Sequence, residues 1–187
     1  MKKRIILAVY LLISVMQSVA QPDWGLGIFV KPAENPVAGP DSTFLFFCPE
    51  KKMIVQWQKA DVFNPAAIVR GGKVYLFPRC EDNPKAMIGG RTSRIGIAVS
   101  EDGIHFKKFP KPVLYPGNDS LNLYDTMGGC EDPRIAESPD GRYIMTFTAW
   151  NMKVPNLSVA YSTDLFHWKK TGPAFAIAYD GKFLNKW

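Results

Sequence analysis

Apolar and polar positions alternate in short bursts broken by turns, and no stretch after the first twenty residues carries a helical period. One unit reads as an apolar stretch from Ala66 to Val69, a glycine turn, and a β-rich run from Val74 to Phe77. A loop follows, then Ile95 to Ser100 and a turn at Asp102-Gly103 before His105-Phe106. Such runs punctuated by Gly, Asp and Pro predict short antiparallel strands.

The pattern repeats. Ile95-Gly96-Ile97-Ala98-Val99-Ser100-Glu101-Asp102-Gly103-Ile104-His105-Phe106 aligns with Leu157-Ser158-Val159-Ala160-Tyr161-Ser162-Thr163-Asp164-Leu165-Phe166-His167-Trp168, at an offset of 157 − 95 = 62. Upstream, Asn64-Pro65 and Gly72 to Phe77 correspond to Asp132-Pro133 and Gly141 to Thr146, at offsets of 68 and 69. A motif recurring roughly every 65 residues, with four short strands per unit, predicts an all-β fold of β-propeller blades. A sandwich also has short strands but does not require this recurrence. The offset further predicts that Ala66 to Ser100 and Ile135 to Ser162 form matching antiparallel sheets, with Asn64 and Asp132 on adjacent inner strands. A propeller needs about four blades to close. Two repeats and an N-terminal strand region (Trp24 to Trp57) therefore predict the front part of a longer protein, whose open edge exposes apolar surface.

Composition supports a packed chain: 187 residues, 47% hydrophobic and 21% charged, with mean hydropathy near zero. Disordered and collagen-like classes are excluded. Residues 1–20 begin with Lys2, Lys3 and Arg4, continue through an apolar run from Ile5 to Val15 and end on Ser18-Val19-Ala20. This is the form of a secretory signal peptide, which predicts a secreted or periplasmic protein without stable membrane insertion, its domain occupying 21–187. Without those three basic residues the net charge of +6 falls to 6 − 3 = +3, too little to indicate nucleic-acid binding. Three cysteines (Cys48, Cys80 and Cys130) allow at most one internal disulfide.

In a propeller the innermost strands line the central funnel. Asn64, Glu131, Asp132, Arg134 and Arg79 then converge on one cavity suited to a polyhydroxylated ligand. The structural alternative is an Asp132–Arg134 ion pair closing the blade, with Asn64 capping a turn. Glu81 and Asp82 read as a solvated loop or as extra sugar ligands. The Ser-x-Asp turns at Ser100 and Ser162 read as hairpin chemistry, and His105 and His167 lack the companions of a metal site. Trp150 either stacks on a sugar or fills the sheet interface. Cys130 reads as a packed hydrophobe.

Four motifs carry a resemblance: Asp61-Val62-Phe63-Asn64-Pro65-Ala66-Ala67; Gly72-Lys73-Val74-Tyr75-Leu76-Phe77-Pro78-Arg79-Cys80-Glu81-Asp82; Thr92 to Phe106; and Gly129-Cys130-Glu131-Asp132-Pro133-Arg134. In this order they resemble glycoside hydrolase family 130, β-mannoside phosphorylases and β-1,2-mannosidases on a five-bladed β-propeller. The leader and Cys48-Pro49 are most similar to its secreted Bacteroidetes-like branch. The resemblance implies that this chain holds the first two to three blades, acts on β-mannoside oligosaccharides and works by inverting displacement at the anomeric carbon. It implies Asp132 as proton donor, relaying through the sugar 3-hydroxyl, Asn64 and Arg79 as grips on the mannosyl unit, and Arg94 near the incoming nucleophile. No cofactor is implied, only inorganic phosphate as co-substrate in a phosphorylase. The hydrolase reading leads here, with the phosphorylase as alternative. The general base, about 6.5–9.5 Å from the acid in an inverting hydrolase, or the phosphate-gripping residues, are implied beyond Trp187. Rival classes are the arabinan- and fructan-cleaving propellers, which would carry an early catalytic Asp where this chain has Asn64, and a non-catalytic sugar-binding propeller.

Overall fold

The computed structural model of the protein describes residues 27–87 and 89–185; the leader expected over 1–20 lies outside them. Residues 27–35 belong to a unit of their own, exposed, with the Asn35 amide donating to the Pro32 carbonyl at 3.2 Å. Everything below concerns the second unit, which begins at Pro36.

That unit is almost entirely β. A two-stranded antiparallel sheet pairs β1 (Asp41–Cys48) with β2 (Met53–Gln58). A nine-stranded sheet contains β3 (Asp61–Arg70), β4 (Lys73–Glu81), β5 (Ser93–Ile95), β6 (Ala98–Ser100), β7 (Lys107–Lys108), β8 (Gly129–Glu137), β9 (Tyr143–Trp150), β10 (Pro155–Ser162) and β11 (Lys169–Pro173). Two antiparallel meanders make up this sheet. In the first, β3 pairs β4, β4 pairs β6 and β6 pairs β7, with β5 on the upper part of β4. In the second the order is β8-β9-β10-β11. The expected antiparallel pairing over both repeats is therefore present. Among the described residues helix is confined to α1 (Asn122–Asp125) and a 3₁₀ turn at Ala178–Gly181. Among the described residues no helix is long and apolar enough to cross a membrane.

Strand alternation builds the core. Along β9 burial alternates strictly, with Tyr143, Met145, Phe147 and Ala149 inward, as the two-residue period of a strand requires. These four join Phe77, Ile95, Ile97, Leu114, Cys130, Ala160 and Leu165 in a buried cluster shared by both meanders. Phe77 and Trp168 meet edge to face at 5.9 Å, and Tyr75 and Phe166 at 6.3 Å. Burial of each large side chain contributes about 1.5–3 kcal/mol. On β1 and β2, by contrast, Leu45, Phe47, Met53 and Ile54 are exposed.

The Ser-x-Asp turns are structural, as their repetition suggested. Asp102 Oδ1 accepts from the amides of Ile104 and His105, and Asp164 Oδ1 from those of Phe166 and His167. Multiple donors, including Ser100, hold the Asp102 carboxyl well below its usual range, the His105 contact contributing most. All three cysteines are free and buried. Burial pushes the Cys80 thiol up to about 12, in keeping with packed, inert side chains.

A single parallel bridge, Ser93 to Gly129, joins the meanders, and the Ser93 amide donates to the Gly128 carbonyl at 2.8 Å. Gly129 has φ = 107° and lies so close to the Ser93 backbone that no side chain fits.

Candidate active site

The two X-Pro dipeptides identified by the repeat sit on matching β-bulges. On β3 the register jumps between Phe63↔Arg79 and Ala66↔Phe77; on β8 it jumps between Glu131↔Thr148 and Arg134↔Thr146. Each time two residues, Asn64-Pro65 or Asp132-Pro133, oppose one on the neighbouring strand, the count that defines a bulge. Asn64 has φ = 44° and Asp132 φ = 46°. Among L-residues with a side chain, Asn and Asp tolerate this left-handed region best. The pyrrolidine that follows disfavours it, so the surrounding sheet must impose it. Such strain collects at functional sites.

The bulges bring the two side chains together: Asn64 Nδ2 donates to Asp132 Oδ1 at 3.0 Å. Arg79 Nη1 donates to the same oxygen at 3.3 Å. The Asp132 ion pair is thus with Arg79. Arg134 is exposed and donates to the Pro133 carbonyl at 2.7 Å; among the described residues no ion pair includes it, so the Asp132–Arg134 pair is not formed.

Behind Asp132 the Arg79 guanidinium is held on three sides. Its Nη2 donates to Glu81 Oε1 and Glu131 Oε1, each at 2.7 Å, and its Nε to Ser93 Oγ at 3.1 Å. The Phe63 ring lies 4.9 Å from its Cζ. A regular strand would send Glu131 and Asp132 to opposite faces. Because Asp132 occupies the bulge, both reach Arg79. Burial pushes the Glu131 carboxyl above its ordinary range and the charges of Asp132 and Glu81 add to that, while Arg79 and Ser93 pull the other way.

One expectation needs correction. Glu81 and Asp82 are not a solvated loop: each side chain is 6% exposed. Glu81 closes β4 on the same face as Arg79, two residues along the strand. Asp82 turns away to meet Lys51 at 2.7 Å and Arg94 at 3.1 Å; burial opposes its ionised form, but Lys51, Arg94 and the Thr92 amide outweigh it and hold the carboxyl below its usual value. Arg94, expected near the incoming nucleophile, lies apart from the Asp132 cluster. It is fully buried, with its Nη1 on Asp82 and the Thr92 carbonyl and its Nη2 3.2 Å from Cys48 Sγ. Ser93 and Arg94 are neighbours on β5 and face opposite ways; since Ser93 faces Arg79, Arg94 cannot. A residue the sequence did not single out, Arg91, joins instead, donating from Nη1 to Glu81 Oε2 at 2.6 Å and pairing with Asp61.

A cavity of about 1090 Å³ lies elsewhere, lined by Phe109, Leu114, Tyr115, Leu121, Trp168 and others, and no residue of the Asp132 cluster borders it. Among the described residues no group of three His, Cys, Asp or Glu side chains is arranged to hold a metal ion. The cluster is an exposed carboxylate edge, with Asp132 39% exposed, backed by a rigid cation and an amide. It presents donors and acceptors at fixed angles, as recognition of a polyol demands.

Two four-stranded meanders with such a polar edge between them give a propeller-like β architecture. The model for glycoside hydrolase family 130, described as β-1,4-mannooligosaccharide phosphorylase, matches residues 41–182, and the chain belongs to this family of glycoside-processing enzymes. It is 37% identical over 121 residues to the 1,2-β-oligomannan phosphorylase of Thermoanaerobacter sp. (strain X514), a match covering 63% of this chain and 39% of that protein. Among solved structures it is similar to one from the family's glycoside hydrolases that target β-1,2 mannosidic linkages in Candida mannan, at 49% identity and a TM-score of 0.83, covering 89% of this chain and 47% of that one. A glycosyl hydrolase from Bacteroides ovatus shares 48% identity at a TM-score of 0.83, with the same coverages. The chain spans about two fifths of the curated relatives' length.

Proposed function

We propose that this chain supplies the sugar-gripping and proton-donating part of an enzyme that cleaves β-mannosidic linkages with inversion, as the N-terminal part of a five-bladed propeller exported through the leader at 1–20. The observation that carries the reading is the pair of donors on one oxygen of Asp132: Asn64 at 3.0 Å and Arg79 at 3.3 Å both address Oδ1. An oxygen that accepts two hydrogen bonds is a poor place for a proton, so the acid proton belongs on Oδ2, which is left to face a sugar hydroxyl. The departing alkoxide needs that proton, delivered through the 3-hydroxyl, and a positioned carboxylic acid supplies it. Asn64 and Arg79 grip the mannosyl unit, with Glu131 and Arg134 at its margin. Arg94 acts from inside the sheet, through Asp82.

The acceptor we favour is inorganic phosphate, as co-substrate and without a cofactor. The family description and two curated relatives, the 1,2-β-oligomannan phosphorylase and a β-1,2-mannobiose phosphorylase of the same organism, are phosphorylases. Phosphate would be gripped away from the present cluster, where Asp61, Glu81, Glu131 and Asp132 outnumber Arg79 and Arg91. Hydrolysis is the second reading, favoured by the 49% identity to a structure from the family's hydrolases.

In the full-length protein Asp132→Asn should lower turnover of β-mannobiose by about 10²-fold or more, the scale of general acid catalysis, and spare aryl mannosides whose leaving groups need little protonation. Equal losses on both substrates, or none, would sink the assignment. Mannose 1-phosphate formed only with phosphate present identifies the phosphorylase; free mannose formed regardless of phosphate identifies the hydrolase.

A further inference from the structure

We propose that Glu81 is a positioning residue for the acid, aiming the Arg79 guanidinium at Asp132; this rests on Asp132 being the proton donor. Glu81 is 6% exposed and both its oxygens are occupied, Oε1 by Arg79 and Oε2 by Arg91, so it acts on the substrate only through a neighbour. The guanidinium is a rigid plane. Once Nη2 is fixed by Glu81 and Glu131 at 2.7 Å and Nε by Ser93 at 3.1 Å, the direction of Nη1 is set. The anchored end is short and the working end, at 3.3 Å from Asp132 Oδ1, is longer. Small rotations of the plane therefore appear chiefly at Asp132.

Glu81 also couples the two sides of the site. Through Arg91 it reaches Asp61, which opens β3, the strand carrying Asn64. Asn64 and Arg79, the two donors on Asp132 Oδ1, are thus referred to one buried carboxylate. Without it the Oδ1 donors drift, the proton is no longer confined to Oδ2, and leaving-group protonation slows while sugar contacts persist.

The test uses full-length protein, with β-mannobiose and an activated aryl mannoside as substrates, and wild type, Glu81→Gln, Ser93→Ala, Arg79→Lys and Glu81→Gln/Arg79→Lys as proteins. Folding is checked by circular dichroism melts. Glu81→Gln should lower kcat on the disaccharide about 10-fold, part of the 10²–10⁴ available from a general acid. KM should stay within about two-fold and aryl mannoside turnover should be nearly intact. The double variant should be no slower than Arg79→Lys alone, because both changes act through one guanidinium. Ser93→Ala removes an anchor without stranding a charge and should show the same substrate-dependent loss; it decides the matter if Glu81→Gln does not fold. Multiplicative losses in the double variant, equal losses on both substrates, or unchanged kcat in Ser93→Ala would overturn the proposal. Asp132→Asn assayed alongside separates the two levels. If it is silent, the acid reading falls and the positioning role with it; if it alone shows the substrate-dependent loss, only the positioning role falls.

Discussion

Replacing Gly129 by Ala tests whether the junction between the meanders sets the site. A Cβ at this position would land on the carbonyl oxygen of Ser93 and 2.6 Å from its nitrogen. Both are backbone atoms inside a sheet and cannot swing aside. An L-residue held near φ = 107° costs about 1–2 kcal/mol from backbone sterics alone. Separating the strands breaks the 2.8 Å bond between the Ser93 amide and the Gly128 carbonyl, and an orphaned buried group costs about 1–3 kcal/mol more. Together these predict a loss of about 2–5 kcal/mol, a large fraction of the 5–15 kcal/mol typical of a native protein. Ser93 moves with the strand, and its hydroxyl lies within 3.1–3.2 Å of Arg79, Glu81 and Glu131. Folded Gly129→Ala protein should therefore also lose turnover on unactivated mannosides more than on aryl mannosides. Urea denaturation of full-length protein gives the stability change from the midpoint at constant m-value, and steady-state kinetics at low temperature give the activity of the folded fraction. A loss below about 1 kcal/mol with unchanged kcat would refute the claim that this close approach fixes the cluster.

Two further outcomes follow from the same geometry. Asn64→Asp places a carboxylate where an amide now donates to Asp132 at 3.0 Å. Two like charges so close repel and the amide's donation is lost, so kcat on β-mannobiose should fall by about 10-fold or more, and an unchanged kcat would refute the contact. Lys170→Met strips the partner, 2.7 Å away, from Asp125, whose side chain is 2% exposed. Burial already raises the Asp125 carboxyl and Lys170 opposes that. A raised acid favours the fold below its unfolded pKa and loses that advantage as pH climbs through the folded value, so the variant should lose about 3–5 kcal/mol near pH 7 and much less near pH 4. Urea midpoints across that range check the slope, and a pH-independent loss would count against it.

The repeat was legible because hairpin chemistry and strand alternation are local: Asp102 and Asp164 announce their turns, and Tyr143 to Trp150 their two faces. Equivalence of Asn64 and Asp132 followed from alignment alone. What the sequence hid was direction. Glu81 and Asp82 are adjacent acids after Cys80, and their polarity suggests a loop. Glu81 is the last residue of β4 and faces Arg79, and Asp82, just past the strand, meets Arg94. Period-two alternation on β5 places Arg94 on the face opposite Ser93. Arg91 joins Asp61 across 30 residues, and no local pattern reports such closure.

Matched bulges, finally, divide the labour between repeats. The offset of 69 that pairs Phe77 with Thr146 also pairs Arg79 with Thr148, since 148 − 79 = 69, so the cation on the first meander has only a hydroxyl as its counterpart on the second. The proposed acid, Asp132, resides in one repeat, and the cation and amide that contact it in the other. Neither repeat is a site alone. Between them run one parallel bridge, the shared core and the bonds from Asn64 and Arg79 to Glu131 and Asp132, while each meander keeps its own ladder of hydrogen bonds. On the proposed mechanism catalysis therefore depends on this interface as well as on each sheet. As denaturant rises, activity should vanish while both sheets still give their full β signal, and inactivation would report separation of the repeats rather than their melting.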